Sequence, residues 1–81
     1  MALRVLAFAR LRELLGFGER ALDAAPDSTV DDVWSALTAA SPEAARMRAS
    51  TRFARNGVVV DGATRVADGD EIALLPPVGG G

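Results

Sequence analysis

Gly79, Gly80 and Gly81 close the chain, and the carboxylate of Gly81 is the group best suited to carry an activated acyl or sulfur group. The sequence has no cysteine, histidine, tyrosine or lysine. Their absence removes disulfides, thiolate nucleophiles, imidazole acid–base chemistry and Cys/His zinc sites. Carboxylates, hydroxyls, arginines and the two chain ends remain, and a stand-alone enzyme is not expected from that set. A terminal carboxylate is ionised at neutral pH and is a poor electrophile. It must first be activated, for example as an acyl-adenylate, by a separate ATP-binding enzyme. The approach to the terminus suits such a role. Pro76 and Pro77 fix φ and favour an extended exit. The four residues beyond them reach at most about 14 Å. Glycines without a Cβ can enter a tunnel too narrow for other residues. On composition alone the same run also reads as a frayed polar end or an expression scar.

A strand is expected over 3–9, with Leu3, Val5 and Ala7 on one face and Leu6 and Phe8 on the other. A short helix follows over 10–15, stopped by Gly16. Residues 19–24 read as a second strand, broken at Pro26-Asp27. The main helix starts at Ser28 or Thr29, where a cap hydroxyl precedes Asp31 and Asp32. Val30, Val33, Trp34 and Leu37 form its apolar face, completed by Ala39 and Ala40. Ser41-Pro42 starts another helix, to about Ala49. Three short strands follow: 52–55, leading into Asn56-Gly57; 58–60, ended by Asp61-Gly62; and 71–75, after the Asp68-Gly69-Asp70 turn. This order predicts an α+β fold, a β-grasp (ubiquitin-like) domain. It has a mixed sheet of about five strands, one main helix on one face and short extra helices. The first and last strands, apolar on both sides, belong side by side and parallel at the sheet centre. Residues 1–77 form the domain and 78–81 a flexible glycine-rich tail.

Bulk properties narrow the function further. With 81 residues there is room for one small domain. A net charge of −2 disfavours nucleic acid as the main partner. No apolar run approaches the roughly 20 residues of a bilayer span, so no membrane partner is expected. The N-terminus lacks the pattern of a secretory signal, and the absence of cysteine fits a cytoplasmic location.

Three stretches resemble the small, sulfur-carrier subunit of molybdopterin synthase. The first runs from Val5 to Gly16, a strand followed by an Arg-Glu-Leu helix. The second is Phe53-Ala54-Arg55-Asn56-Gly57. The third, from Asp68 to Gly81, is the specific one: an Asp-Gly-Asp-Glu turn, an apolar strand, Pro-Pro-Val, one small residue and a terminal Gly-Gly. The small residue here is Gly79, where many members carry serine or threonine.

The resemblance implies a sulfur cycle. An E1-like adenylating enzyme uses ATP to activate Gly81, sulfur from a donor protein gives a thiocarboxylate, and the tail enters the large synthase subunit. There it donates sulfur to cyclic pyranopterin monophosphate. The expected assembly is a heterotetramer of two small and two large subunits. Catalytic side chains then belong to the large subunit, and this chain is a sulfur-donor subunit that holds no cofactor or metal itself. The implied site residues are Gly81 as the acyl site, Gly79 and Gly80 as the tail, and a partner interface. For that interface, strand parity leaves Phe8 and Leu75 as an exposed apolar patch if the main helix covers Val5, Ile72 and Leu74, with Val59 extending it. Pro76, Pro77 and Val78 continue it into the tail. Parity alone equally allows the short helices or loops to cover this face.

Other features have plainer readings. Trp34 belongs to the core. Arg46, Arg48, Arg52 and Arg55 form a basic cluster, read as a solvated helix end and strand edge or as a contact for an acidic partner. Asp68, Asp70 and Glu71 lack a calcium-loop ligand series and read as a turn. Three other functions remain open: a related β-grasp carrier for thiamine, cysteine or tRNA thiolation, a ubiquitin-like protein modifier, and an interaction domain with an inert tail.

Overall fold

The computed structural model describes residues 1–77. Five strands form one sheet in the order β2-β1-β5-β3-β4: β1 Ala2–Ala7, β2 Glu19–Asp23, β3 Arg52–Arg55, β4 Val58–Val60 and β5 Glu71–Leu75. β1 and β5 pair in parallel and the other neighbours pair antiparallel. The expected β-grasp sheet is therefore present, with β5 at its centre and β1 beside it.

Alternation decides which side chains enter the core. Leu3, Val5 and Ala7 of β1, Ile72 and Leu74 of β5 and Phe53 of β3 are buried on one face. Helix α2 (Val30–Thr38) covers them with Val30, Val33 and Trp34. The Trp34 and Phe53 rings meet at 5.8 Å, tilted by 58°, a favourable aromatic geometry. Helix α1 (Ala9–Leu15) adds Leu11, which is wholly buried.

The start and stop signals act as their chemistry requires. The Thr29 hydroxyl accepts from the Asp32 amide while the Asp32 carboxylate accepts from the Thr29 amide, a reciprocal capping box. Gly16 closes α1 at φ +84°, a left-handed conformation that glycine adopts without a Cβ penalty.

Several details differ from expectation. β1 ends at Ala7, because Phe8 becomes the N-cap residue of α1 and Ala9 turns the chain with φ +48°. β2 ends at Asp23. Ala39 and Ala40 do not complete the core face of α2. They are exposed, and Thr38 fills the buried slot with its hydroxyl donating to the Trp34 carbonyl at 2.9 Å. The helix expected to run from Pro42 to about Ala49 divides into α3 (Pro42–Ala45) and a 3₁₀ turn at Arg48–Ser50. Among the described residues, no helix is long and apolar enough to cross a membrane.

Candidate functional site

Among the described residues the sheet face away from α2 carries no helix in front of its apolar centre, and register organises it into rows. Leu6 of β1 lies opposite Ala73 of β5, Ala73 opposite Ala54 of β3, and Ala54 opposite Val59 of β4. The two alanines make a shallow floor between larger residues. Leu6 and Ala73 are half-buried, and Val59 is 60% exposed. One row towards the tail, Leu75 lies opposite Arg52. The parallel β1–β5 register carries Phe8, 44% exposed, to the same end of the face. One row the other way, Arg4 pairs with Glu71 and approaches Glu19 at 3.9 Å. The face is thus apolar towards the tail exit and ionic at its far end.

Of the residues expected at an interface, Phe8, Val59 and Leu75 all lie on this face, and Pro76 and Pro77 lead off its edge. The short helices do not cover Phe8 or Val59. Val78, Gly79, Gly80 and Gly81, expected to form the end of the interface, the tail and the acyl site, lie outside the described residues. At the root of the tail, a cleft of about 640 Å³ is lined by Arg52, Leu75, Pro76 and Pro77, with Ser50 and Thr51 alongside.

A buried carboxylate fixes where β5, and so the tail, begins. Asp70 is 5% exposed and accepts from Arg55 Nε at 2.6 Å, Asn56 Nδ2 at 2.9 Å and the Ala67 amide at 2.7 Å. Burial alone would raise its pKa. The hydrogen bonds from Arg55, Asn56 and Ala67, with the Arg55 charge, outweigh burial and hold it below the ordinary carboxylate range. Asn56 meets Glu71 on both sides: its amide donates to the Glu71 carbonyl at 2.8 Å, and its Oδ1 accepts from the Glu71 amide at 2.9 Å. The Ala2 amide donates to Asp68 at 2.7 Å. The Asp68-Gly69-Asp70 turn therefore fastens β1, β3 and β5 together at the end opposite the tail. It acts as a turn, and no group of acidic side chains suited to a metal ion occurs among the described residues.

Pairing engages two members of the basic cluster, Arg48 and Arg55, and leaves Arg46 and Arg52 without an ion pair among the described residues. Arg48 reaches Asp31 at 2.6 Å and lies over the Phe53 ring at 4.5 Å, and Arg55 serves Asp70. Arg52 stands apart on the open face. Sequence reasoning grouped it with its neighbours, although strand alternation beside the core residue Phe53 separates it from Arg55.

The ThiS family model matches residues 5–81. The chain belongs to the ThiS family. The molybdopterin synthase sulfur carrier subunit of Chlamydomonas reinhardtii is 32% identical over 83 residues, covering 100% of both chains. Small archaeal modifier protein 1 of Haloferax volcanii superposes with a TM-score of 0.81 at 32% identity, over 95% of this chain and 98% of that one. Subunit 1 or 2 of the Helicobacter pylori molybdopterin-converting factor, solved as a complex of the two, matches with a TM-score of 0.68. That match spans 100% of both chains at 24% identity and shows the shared fold. The resemblance to the molybdopterin synthase small subunit is thus borne out over the full length of this ThiS-family chain.

Proposed function

We propose that this ThiS-family chain is the sulfur-carrier subunit of a molybdopterin synthase, acting through its terminal glycine. The observation that carries the reading is the path of β5. It leaves the sheet centre at Leu75 and passes Pro76 and Pro77 beside an exposed apolar face. It then leads into a terminal Gly-Gly-Gly in a chain with no cysteine or lysine to carry an acyl or sulfur group. The full-length similarity to sulfur-carrier subunits supports the same assignment.

In this mechanism the Gly81 carboxylate attacks ATP on an E1-like adenylating enzyme, forming an acyl-adenylate and releasing pyrophosphate. A sulfur donor protein delivers sulfur at the sulfide level, which attacks the acyl carbon; AMP leaves and Gly81 ends as a thiocarboxylate. The open face then docks on the large synthase subunit, and the tail delivers sulfur to cyclic pyranopterin monophosphate. Gly79 and Gly80 supply the thin approach, and Phe8, Val59, Leu75, Pro76, Pro77 and Val78 supply the contact. Catalysis resides on the large subunit, in a heterotetramer of two copies of each chain in the cytoplasm. ATP is a substrate of the activating enzyme.

Mass spectrometry of the C-terminal peptide tests this. After incubation with the organism's extract, ATP and a sulfur source, one oxygen of Gly81 is replaced by sulfur, and a chain lacking Gly81 stays unchanged. An unmodified terminus where a known carrier is thiolated would overturn the reading. A second reading, a ubiquitin-like protein modifier, is favoured by the likeness to the archaeal modifier. It predicts Gly81 joined by amide bonds to lysines of other proteins in the same experiment.

A further inference from the structure

We infer that Arg52 is a recognition charge, and that the surface receiving the tail presents a carboxylate to it at the rim of the tail opening. This rests on the sulfur-carrier reading and deepens it. Arg4, Arg10, Arg48, Arg55 and Arg65 each lie within 4 Å of a carboxylate. Arg20 and Arg48 lie over phenylalanine rings. Arg12, Arg46 and Arg52 have neither an ion pair nor an aromatic partner among the described residues and all three are exposed; of the three, Arg52 is the one that lines the cleft with Pro76 and Pro77. Asp61, just beyond β4, is the carboxylate nearest in register. Its Oδ1 is turned to its own loop, accepting from the Ala63 amide at 2.9 Å and the Thr64 hydroxyl at 3.4 Å.

The position of Arg52 makes its charge consequential. It sits opposite Leu75 and lines the cleft with Pro76 and Pro77, so a partner that takes the tail covers it. Covering a guanidinium without a counter-charge is costly, because its hydration is lost and nothing replaces it. A wholly apolar acceptor is therefore a poor fit, and one with a carboxylate at the rim gains a planar, two-pronged contact. The positive rim also contrasts with the chain's net charge of −2, so it orients the approaching partner towards the tail end of the face.

The test is calorimetric binding of the full chain to the large synthase subunit of the same organism, at low and high salt. Arg52→Lys, which keeps the charge but loses the second prong, should bind a few-fold more weakly than the parent, Arg52→Gln about tenfold and Arg52→Glu about a hundredfold more weakly at low salt, with the gaps narrowing at high salt. Lysine placed at one acidic position around the partner's tail opening should restore Arg52→Glu. Parent-like binding by Arg52→Glu overturns the inference, as does tighter binding by Arg52→Leu. So does a lowered melting temperature in Arg52→Gln, since Arg52 would then serve this chain's own Asp61. If the parent chain itself fails to bind the large subunit, the sulfur-carrier reading falls, which separates the two failures.

Discussion

At the scale of single residues, the chain separates its chemistry from its scaffold. Asp70 touches no expected reactant, yet it joins Arg55, Asn56 and Ala67 at one buried point. Asp70→Ala should destabilise the fold by about 2–4 kcal/mol, measured by urea unfolding, because three donors, one of them the Arg55 guanidinium, lose their acceptor. The pH dependence follows from the direction of its shift. A carboxyl whose pKa is lowered on folding stabilises the protein above its unfolded-state pKa, and that stability is lost as pH falls through the folded-state value. Acid titration of stability should therefore show a steep loss in the parent on the acid side of the ordinary carboxylate range, and a shallower one in Asp70→Asn. Gly62 offers a contrast. A Cβ there would meet the Asp31 carboxylate and the Arg48 guanidinium, the far ends of two flexible side chains. Gly62→Ala should thus cost no more than about 1 kcal/mol by the same unfolding measurement, the usual worth of a solvent-accessible pair.

At the scale of elements, neighbours on β5 have opposite duties. Leu74 is fully buried, while Leu75 faces the open side. Leu74→Ala should lose about 2–5 kcal/mol of stability through a cavity. Leu75→Glu should melt within a few degrees of the parent but fail to bind the large subunit, read by calorimetry. Much of this organisation was legible. Alternation placed Leu3, Val5, Ile72 and Leu74 inside, and the Thr29 cap and the Gly16 stop bounded their helices. Other elements were not legible, for local reasons. A buried threonine whose hydroxyl returns to its own helix mimics a solvated residue in sequence, so Thr38 was passed over for Ala39 and Ala40. Alanine and arginine favour helix from Ala44 to Ala49, but tertiary pulls override that preference. Arg48 is drawn to Asp31 and Phe53, and the helix gives way to a 3₁₀ turn. Strand alternation separates Arg52 from Arg55, but which arginines are held by a carboxylate depends on partners distant in sequence, Asp31 for Arg48 and Asp70 for Arg55.

At the scale of the whole molecule, the fold depends on its last strand. β5 lies between β1 and β3, so removing it takes away both central pairings. A chain ending at Ala67 should lack cooperative unfolding by circular dichroism, whereas one ending at Pro77 should melt close to the full chain and carry no sulfur. The site divides similarly. The apolar face is a property of parity and was open to inference, with the choice between exposed and covered left to the path of the short helices. The role proposed for Gly81 rests on residue types and on the family resemblance, because residues 78–81 lie outside the described structure.

The last strand also has mechanical meaning. β1 begins at the chain's start, β5 runs out towards its end, and the two are parallel neighbours. Tension between the two ends drags these strands past one another, so their shared hydrogen bonds are loaded together instead of peeling one at a time. A pull on the end of β5 is therefore resisted by the whole β1–β5 ladder at once.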